Sequence, residues 1–386
     1  MTHDSLQALA RDKLARLDSE LLLRTLVVTD RGTQVSARRN AVDLTSFACN
    51  DYLGLSQHPE VIQAAADATR RLGTGAGASR HISGNHSLYD GLETQLASLK
   101  GTEDAVVFGS GYLANIGTIP ALVSEQDLIL MDETCHACLH AGARLARSQI
   151  SLFAHNNVDA AASILKKSRG EYRHCLLLTE GVFSMDGDRA PIAELLELAD
   201  SYDAWLMTDD AHGLGVVGDG RGSNFEAGQP LNVPLQMGTL SKSAGTYGGY
   251  LCSNTAVADL IRNRARSLIY TTALPPGTVA AAAKAVEIIA SDRQLTEIPL
   301  KNARLFTQEL GLPEAQSAIV PLQVGSASKA LEISEQLEQD GYLVVAIRPP
   351  TVPDGTARLR CTFSAMHDPA DVRALAEAVK KALAKS

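Results

Sequence analysis

The sequence contains no apolar run long enough to cross a membrane and little that marks a secreted or nucleic-acid-binding protein. A transmembrane helix needs roughly 18 to 20 apolar residues in a row, and no segment approaches this. Residues 1–26 carry acidic side chains and lack the apolar centre of a signal peptide. The formal net charge is −9, so neither a nucleic acid nor an anionic membrane is an expected partner.

Cysteine is too scarce for a disulfide scaffold. Six cysteines in 386 residues are more typical of the reduced thiols of a cytoplasmic protein. The chain is longer than the size at which one hydrophobic core usually keeps growing, which predicts a large domain with a smaller one attached. Hydrophobic residues make up 45% and charged residues 20%, as in ordinary globular proteins.

From about residue 100 onward, short apolar runs alternate with longer segments of helical periodicity. This alternation favours an α/β fold with a mainly parallel sheet that is covered by helices on both faces. The predicted strands are Ala105–Phe108, Leu128–Met131, Cys175–Leu178, Trp205–Thr208 and Leu235–Gly238, and the predicted helices between them are Asn115–Val123, His136–Arg147 and Ile192–Ser201.

The two ends of the chain have different patterns. Leucines at helical spacing predict an amphipathic helix over residues 5–24. After residue 290, strands are predicted among helices, and the last helix begins with Asp368 as N-cap and Pro369 at its first position. The predicted late strands are Ile319–Val324, Leu343–Ile347 and Arg358–Phe363. We therefore expect an N-terminal arm over residues 1–50, a large domain over 51–288 and a small C-terminal α/β domain over 289–386.

Lys242 lies directly after a predicted strand, in the segment Gly238–Tyr250 that is rich in glycine, serine and threonine. A lysine confined in this way has a lowered pKa and suits a Schiff base with a carbonyl cofactor. A solvated lysine in a flexible loop fits the same local pattern.

Asp209 and His212 follow the predicted strand Trp205–Thr208. Open α/β sheets bind ligands at the carboxyl ends of their strands. A buried carboxylate there could keep a pyridinium nitrogen protonated, and the imidazole could bond a ring hydroxyl. An Asp-capped turn with a structural histidine is the alternative.

Two glycine-rich segments are candidate anion sites. Gly109–Asn115 lies between a predicted strand and a helix, where backbone N–H groups could bind a phosphate, although a plain turn fits equally well. Gly73–Arg80 lacks the preceding strand and the following acidic residue that a dinucleotide site requires.

The segment Cys135–His140 contains two thiols and two imidazoles, which raises the alternative of zinc or redox chemistry. No second cysteine pair follows at zinc-ribbon spacing. Neighbours on a helix, such as Cys135 and His136, also point to different faces. No metal site is therefore expected.

Seven segments taken in order resemble the α-oxoamine synthases, a family of fold type I pyridoxal-phosphate enzymes. The resemblance covers nearly the whole chain. It implies an aminotransferase-like fold, pyridoxal 5'-phosphate as cofactor, and a homodimer with shared active sites. The segments are Asn50–Leu55, Ser79–His86, Asp132–His136, Thr179–Gly187, Asp209–Gly213, Thr239–Lys242 and Arg348–Arg360.

The resemblance also implies roles for individual residues. Lys242 would bind the cofactor and transfer the proton, Asp209 would pair with the pyridinium nitrogen, and His212 would pair with the ring hydroxyl. His136 would stack on the ring. The other implied cofactor contacts are Gly111, Tyr112, Glu180, Ser184, Thr239, Thr271 and Thr272, of which the last two would reach the phosphate bound by the partner subunit. The implied substrate contacts are Arg24, Asn50, His136, Thr351 and Arg360, and Arg360 would hold the amino-acid carboxylate.

The implied reaction is a decarboxylative condensation of an amino acid with an acyl thioester. The run Pro349–Pro353 favours the branch of the family that joins L-alanine to a pimeloyl thioester in biotin synthesis, with coenzyme A or a carrier protein as acyl carrier. A relative that uses glycine with another acyl thioester stays open. A non-catalytic scaffold or regulator would leave Lys242, Asp209 and His212 unexplained, and the acidic chain has no basic DNA-binding segment.

Overall fold

The computed structural model of the protein describes residues 4–385. The helices are α1 (Asp4–Ser19), α2 (Pro59–Leu72), α3 (Leu88–Lys100), α4 (Gly111–Leu122), α5 (Ala137–Ala146), α6 (Val158–Ser168), α7 (Ile192–Ser201), α8 (Thr255–Arg264), α9 (Arg266–Ile269), α10 (Pro276–Ser291), α11 (Arg293–Leu310), α12 (Ala327–Gln339) and α13 (Pro369–Lys385). The strands are β1 (Thr29–Arg31), β2 (Ser36–Arg39), β3 (Val42–Ser46), β4 (Asp104–Phe108), β5 (Leu128–Asp132), β6 (Gln149–Phe153), β7 (Cys175–Glu180), β8 (Trp205–Asp209), β9 (Phe225–Glu226), β10 (Gln229–Pro230), β11 (Leu235–Thr239), β12 (Gly249–Ser253), β13 (Ile319–Gly325), β14 (Tyr342–Leu343), β15 (Val345–Ile347) and β16 (Ala357–Thr362).

A seven-stranded sheet with the order β4-β12-β11-β8-β7-β5-β6 forms the centre of the fold. Strands β11, β8, β7, β5 and β6 run parallel, whereas β12 is antiparallel to both of its neighbours. The expected α/β fold with a mainly parallel sheet is confirmed. All five strands predicted for it are present.

Two strands of this sheet escaped prediction. The edge strand β6 begins with exposed and half-buried residues, among them Gln149 and Ser151, and only its last residue, Phe153, is buried, so it forms no continuous apolar run. Strand β12 begins at Gly249, inside the glycine-rich segment that was taken as a loop. Both strands therefore lack the continuous apolar pattern by which buried parallel strands are recognised.

Helices cover both faces of the sheet because its strands are buried on both sides. Along β4, Ala105 and Val107 pack with α2, α3 and α10, whereas Val106 and Phe108 pack with α4, α5 and α8. This alternation follows from the two-residue period of a strand. Among the helices described in residues 4–385, none is long and apolar enough to cross a membrane.

The C-terminal part of the chain forms a smaller antiparallel sheet, β13-β16-β15, against which α11, α12 and α13 pack. The prediction of one strand over residues 343–347 was wrong. The chain divides at the buried Val344: β14 pairs with β3 in a four-stranded N-terminal sheet, and β15 pairs with β16. A local hydrophobic pattern cannot show that consecutive residues join different sheets. Helix α13 begins at Pro369, as predicted.

Two helix boundaries also differ from the prediction. The first helix ends at Ser19 instead of residue 24. Shortly after this end, Leu21 adopts a left-handed backbone conformation with φ of 56°. None of its described residues is buried. Helix α4 begins at Gly111, four residues earlier than expected, because Ser110 caps it by accepting a hydrogen bond from the Leu113 N–H.

Candidate active site

A cavity of about 240 Å³ lies beyond the carboxyl ends of the central parallel strands. This is where open α/β sheets place their ligands. The predicted cofactor contacts that line it are Gly111, Tyr112, His136, Glu180, Ser184, Asp209, His212, Thr239 and Lys242. The lining also includes Ser110, Cys138, Ala211, Met237 and Ser241, which were not predicted.

Lys242 reaches the cavity from the loop between β11 and β12. The loop is closed by hydrogen bonds from Gly245 N to Lys242 O (2.8 Å) and from Thr246 N to Leu240 O (3.0 Å). Lys242 Nζ lies 2.8 Å from His212 Nε2. Burial lowers the pKa of Lys242, although the carboxylates of Asp209 and Glu180 oppose this effect. The amine can therefore lose its proton more readily than a solvated lysine.

Asp209 is the last residue of β8 and faces the cavity with only 4% of its surface exposed. Its Oδ2 accepts a hydrogen bond from Asn115 Nδ2 (2.7 Å), and its Oδ1 accepts one from Ala211 N (3.1 Å). The next residue, Asp210, is buried elsewhere and pairs with Lys100 Nζ at 2.7 Å. Of these two aspartates, Asp209 alone lines the cavity.

His136 is the N-cap of α5 and borders the cavity with an exposed ring. Its backbone N–H donates to Glu180 Oε1 (2.7 Å), and the Ser184 N–H donates to Glu180 Oε2 (3.1 Å). Burial, together with the nearby Asp209 carboxylate, raises the pKa of Glu180 to about 8. Glu180 thus fixes the two loops that carry His136 and Ser184.

The N-terminus of α4 closes one end of the cavity. The first N–H groups of a helix have no intrahelical acceptors and attract anions, and here they belong to Gly111 and Tyr112. A Cβ atom at Gly111 would lie 3.1 Å from Met237 Cε and 3.4 Å from Thr239 Cβ, so glycine permits the close approach to β11. Thr239 Oγ1 lies 2.8 Å from Ser241 Oγ. These groups form a site suited to a phosphate.

A chain of hydrogen bonds continues from Lys242 into the small sheet. His212 Nδ1 lies 2.7 Å from the Tyr52 hydroxyl, which donates to Asn50 Oδ1 at 3.2 Å. Arg360 Nη1 donates to the same Asn50 oxygen at 3.2 Å, and Arg360 Nε donates to the Ser184 carbonyl at 2.6 Å. Burial and the positive charges of Lys242 and Arg360 lower the pKa of His212 well below its usual range, so the ring is neutral.

Six predicted residues do not line this cavity. Asn50 and Arg360 belong to the chain of hydrogen bonds described above. Arg24 and Thr351 contact each other, with a hydrogen bond of 3.0 Å between Arg24 Nη2 and Thr351 Oγ1. Thr271 and Thr272 follow α9, and Thr272 is exposed and pairs with Ser79 in an isolated β-bridge. The roles predicted for these residues stay predictions.

Sequence reasoning missed Asn115, Cys138 and Tyr52. Asn115 is the fifth residue of α4, and Cys138 is the second residue of α5. Cys138 Sγ lies 2.8 Å from His136 Nδ1 and 3.9 Å from Asp209 Oδ2. The polar Asn115 in the apolar stretch of α4 was the one available signal.

The cysteine and histidine segment has no metal-binding geometry. Cys135 Sγ approaches the Leu178 carbonyl at 3.9 Å, away from the His136 ring. Within the described part of the chain, no group of three or more His, Cys, Asp or Glu side chains is arranged to hold a metal ion.

The family model of class I and II aminotransferases matches residues 42–379, and the chain belongs to that family. Within it, the chain is similar to enzymes named 8-amino-7-oxononanoate synthase. The one from Granulibacter bethesdensis is 54% identical, with 98% of this chain and 98% of the relative covered. The one from Methylorubrum populi is 56% identical, with 97% and 95% covered. The predicted resemblance to the α-oxoamine synthases is confirmed.

Solved structures agree with this placement. Serine palmitoyltransferase from Sphingomonas wittichii is 32% identical, with a TM-score of 0.90 over 99% of this chain and 98% of that chain. The enzyme from S. paucimobilis with bound PLP gives a TM-score of 0.90 at 29% identity, over 98% and 96%. An 8-amino-7-oxononanoate synthase from Francisella tularensis shares the fold, with a TM-score of 0.76 at 24% identity over 89% and 98%.

Proposed function

We propose that this enzyme condenses L-alanine with a pimeloyl thioester to give 8-amino-7-oxononanoate, carbon dioxide and a free thiol, with pyridoxal 5'-phosphate as cofactor. One observation carries the proposal. Lys242, Asp209 and His212 surround a single cavity with a phosphate-type site at its end, in a chain 54–56% identical to enzymes named for this product.

The residues of the cavity fit the cofactor. Lys242 would hold its carbonyl carbon as a Schiff base, and the carboxylate of Asp209 would hold a proton on the pyridinium nitrogen. His212 would face the ring hydroxyl, and His136 would stack on the ring. The helix start at Gly111 and the hydroxyls of Thr239 and Ser241 would bind the phosphate. When bound, the cofactor supplies an electron sink for a carbanion at the amino-acid Cα.

The chain's own groups account for the movement of the proton. The lowered pKa of Lys242 leaves Nζ able to accept the proton from the alanine Cα. His212 Nε2, at 2.8 Å, holds that amine in place through a hydrogen bond. Arg360 would bind the alanine carboxylate through its guanidinium and orient the Cα–H bond toward Lys242. Carboxylate binding also places the bond that breaks during decarboxylation.

A second candidate is a reaction with another amino acid or acyl chain. Two structural neighbours with a TM-score of 0.90 are serine palmitoyltransferases, at 29% and 32% identity. We favour L-alanine and a pimeloyl group because the synthases with that product name are far more similar in sequence, at 54–56%. Coenzyme A and a carrier protein are both candidates for the acyl carrier.

The test is release of free thiol from pimeloyl-CoA by the cofactor-loaded enzyme, with L-alanine and then with glycine. We expect release to depend on alanine and to exceed clearly that with glycine. Lys242→Ala should abolish both turnover and the visible absorbance of the bound cofactor, whereas Lys301→Ala, an exposed lysine outside the site, should change neither. Turnover in Lys242→Ala would refute the proposed role of this residue. Release with glycine alone would refute the proposed substrate.

We also propose a homodimer in which Thr271 and Thr272 reach the phosphate site of the partner subunit. Support comes from their position outside the cavity of their own chain, together with the resemblance to the α-oxoamine synthases.

A division into an arm (1–50), a large domain (51–288) and a small domain (289–386) is proposed as well; residues 1–3 and 386 lie outside the described residues. The six free cysteines fit a cytoplasmic location.

A further inference from the structure

Tyr52 is a fully buried residue between two parts of the site. Its surface is 0% exposed, and its hydroxyl lies between the imidazole of His212 and the amide of Asn50. Burial raises the pKa of Tyr52 to about 12, despite the opposing charge of Arg360, so the phenol keeps its single proton. The hydroxyl of Tyr52 can therefore donate its one proton either to His212 or to Asn50.

The donors and acceptors of the neighbouring groups determine which of the two receives the Tyr52 proton. A guanidinium has donors only, so the atom of Asn50 that Arg360 contacts at 3.2 Å is the amide oxygen. Tyr52 contacts the same oxygen at 3.2 Å and must donate to it. The Tyr52 oxygen then accepts the hydrogen bond of 2.7 Å from His212 Nδ1, which must carry the imidazole proton.

The protonation state of His212 Nε2 follows from that of Nδ1. In a neutral imidazole one nitrogen donates and the other accepts. With the proton on Nδ1, His212 Nε2 presents its lone pair to Lys242 Nζ at 2.8 Å. The hydrogen bonds therefore run in one direction, with Lys242 donating to His212, His212 to Tyr52, and Tyr52 to Asn50.

We propose that Tyr52 is a positioning residue that holds His212 with its proton on Nδ1 and its Nε2 lone pair toward Lys242. The inference rests on the proposed function only for its consequence in catalysis. The tautomer itself is a property of the protein alone. No substrate needs to be known in order to measure it.

The first experiment observes the ring nitrogens of His212 by ¹⁵N NMR in the full chain without cofactor, with the signals assigned by loss in His212→Gln. We expect a protonated Nδ1 and an unprotonated Nε2 in the natural sequence, and a change toward the Nε2–H form in Tyr52→Phe. An Nε2–H form in the natural sequence, or an unchanged tautomer in Tyr52→Phe, would overturn the inference.

The matched control is Tyr250→Phe. Tyr250 is also fully buried, but its hydroxyl has no hydrogen-bond partner among residues 4–385, so the same chemical change removes no hydrogen bond of the site. Thermal unfolding of both variants checks that they fold. We expect the His212 signals of Tyr250→Phe to match those of the natural sequence, and a common change in both variants would contradict the specific role of Tyr52.

The second experiment uses the cofactor-loaded enzyme. The charged and titratable groups that act on His212 and Lys242 are Arg360, His136, Asp209, Glu180 and Cys138, and all are kept in Tyr52→Phe. We expect the pH midpoint of the cofactor's visible absorbance to move, and kcat to fall roughly tenfold, as for the loss of one buried hydrogen bond. An unchanged midpoint together with an unchanged kcat would overturn the role of Tyr52. If the midpoint moves but no thiol is released from pimeloyl-CoA, the proposed substrate fails and the role of Tyr52 stands.

Discussion

Asp209 and Asp210 are adjacent in the chain but have separate tasks. Asp210 pairs with the fully buried Lys100 and accepts two hydrogen bonds from Ser223. Gly213 and Gly222 pass so close to its carboxylate that a Cβ at either position would overlap it. This buried pair fixes the turn after β8, and the fixed turn directs Asp209 into the cavity.

Replacement of Asp209 by Asn tests its charge without changing its size. We expect Asp209→Asn to retain the cofactor, because the phosphate and lysine sites are intact, but to lose roughly 100-fold or more in turnover. The measurements are the visible absorbance of the bound cofactor and thiol release from pimeloyl-CoA. Turnover close to that of the natural enzyme would contradict the role of this carboxylate.

His155 links the loops on the far side of the site. Its ring nitrogens contact Asp132 at 3.2 Å and Asp188 at 2.8 Å. Burial favours the neutral ring, but the hydrogen bonds and charges of the two carboxylates outweigh it and raise the pKa of His155 to about 10. The imidazolium therefore ties the end of β5 to the loop that follows β7.

The raised pKa of His155 gives a pH dependence with a definite sign. Its ordinary value in an unfolded chain is about 6.5, so the stabilisation is complete below about pH 6.5 and is lost as the pH rises through about 10. We expect His155→Gln to lower the free energy of unfolding by roughly 1–3 kcal/mol at pH 6, with a smaller difference at pH 9.5. Urea unfolding at both values measures this.

The control for His155 is His81→Gln. His81 is exposed and bonds the Arg262 carbonyl instead of a carboxylate. We expect its substitution to leave the pH dependence of stability unchanged. A difference between the natural sequence and His155→Gln that grows toward high pH would have the wrong sign for an imidazolium held by two carboxylates.

At the scale of single residues, the placement of Lys242, Asp209 and His212 in one site could be predicted, whereas their hydrogen-bond partners could not. Lys242 and Asp209 each end or follow an apolar strand, and that pattern is visible in the sequence. Tyr52 and Asn115 act through contacts with residues 160 and 94 positions away, respectively. Such contacts depend on the packing of whole elements, which no local pattern encodes.

Among the structural elements, the loop between β11 and β12 decides where Lys242 lies. Gly245 has a left-handed conformation with φ of +65°, and a Cβ there would overlap the Ser56 backbone and lie 2.6 Å from the Leu55 carbonyl carbon. Position 245 therefore needs glycine for two reasons. The backbone there has a left-handed conformation, and it lies in close contact with the turn after Gly54.

A comparison of alanine substitutions at Gly245 and Gly311 separates the cost of the left-handed conformation from the cost of the contact with Ser56. Gly311 has the same φ of +65°, but nothing lies within 4 Å of its Cβ position. We expect Gly311→Ala to cost about 1 kcal/mol of stability for the left-handed conformation alone, and Gly245→Ala to cost at least about 1–2 kcal/mol more. Gly245→Ala should also weaken cofactor binding. Equal costs in urea unfolding would show that the Ser56 contact is unimportant.

How well an element could be predicted from the sequence depended on how deeply its side chains are buried. Strands buried on both faces, such as β5 and β7, are continuous apolar runs and were found. The edge strand β6 was not found, because most of its side chains are only partly buried, and the division of segment 342–347 was not predicted, because its pairing is set by distant strands. The prediction for α1 extended too far because no packing on it marks its end.

At the scale of the whole molecule, the cavity of one subunit contains most of the predicted cofactor contacts but not all of them. The cavity holds Lys242 and the phosphate-type site, whereas the predicted phosphate contacts Thr271 and Thr272 lie outside it. The exposed Thr272 follows the short helix α9. A closed dimer with twofold symmetry gives each such surface residue a counterpart on the partner subunit. The proposed dimer would therefore complete both sites at once.

Mixing two inactive variants tests whether the sites are shared. Lys242→Ala removes the lysine of one site, and Thr272→Asp sets a carboxylate against the phosphate of the other. After unfolding and refolding of an equal mixture, half of the dimers are mixed, and each mixed dimer with shared sites has one site free of both changes. About a quarter of the natural activity should therefore return. Sites built within one subunit would each keep one lesion, so no activity would return. Full activity in Thr272→Asp alone would also contradict the shared site.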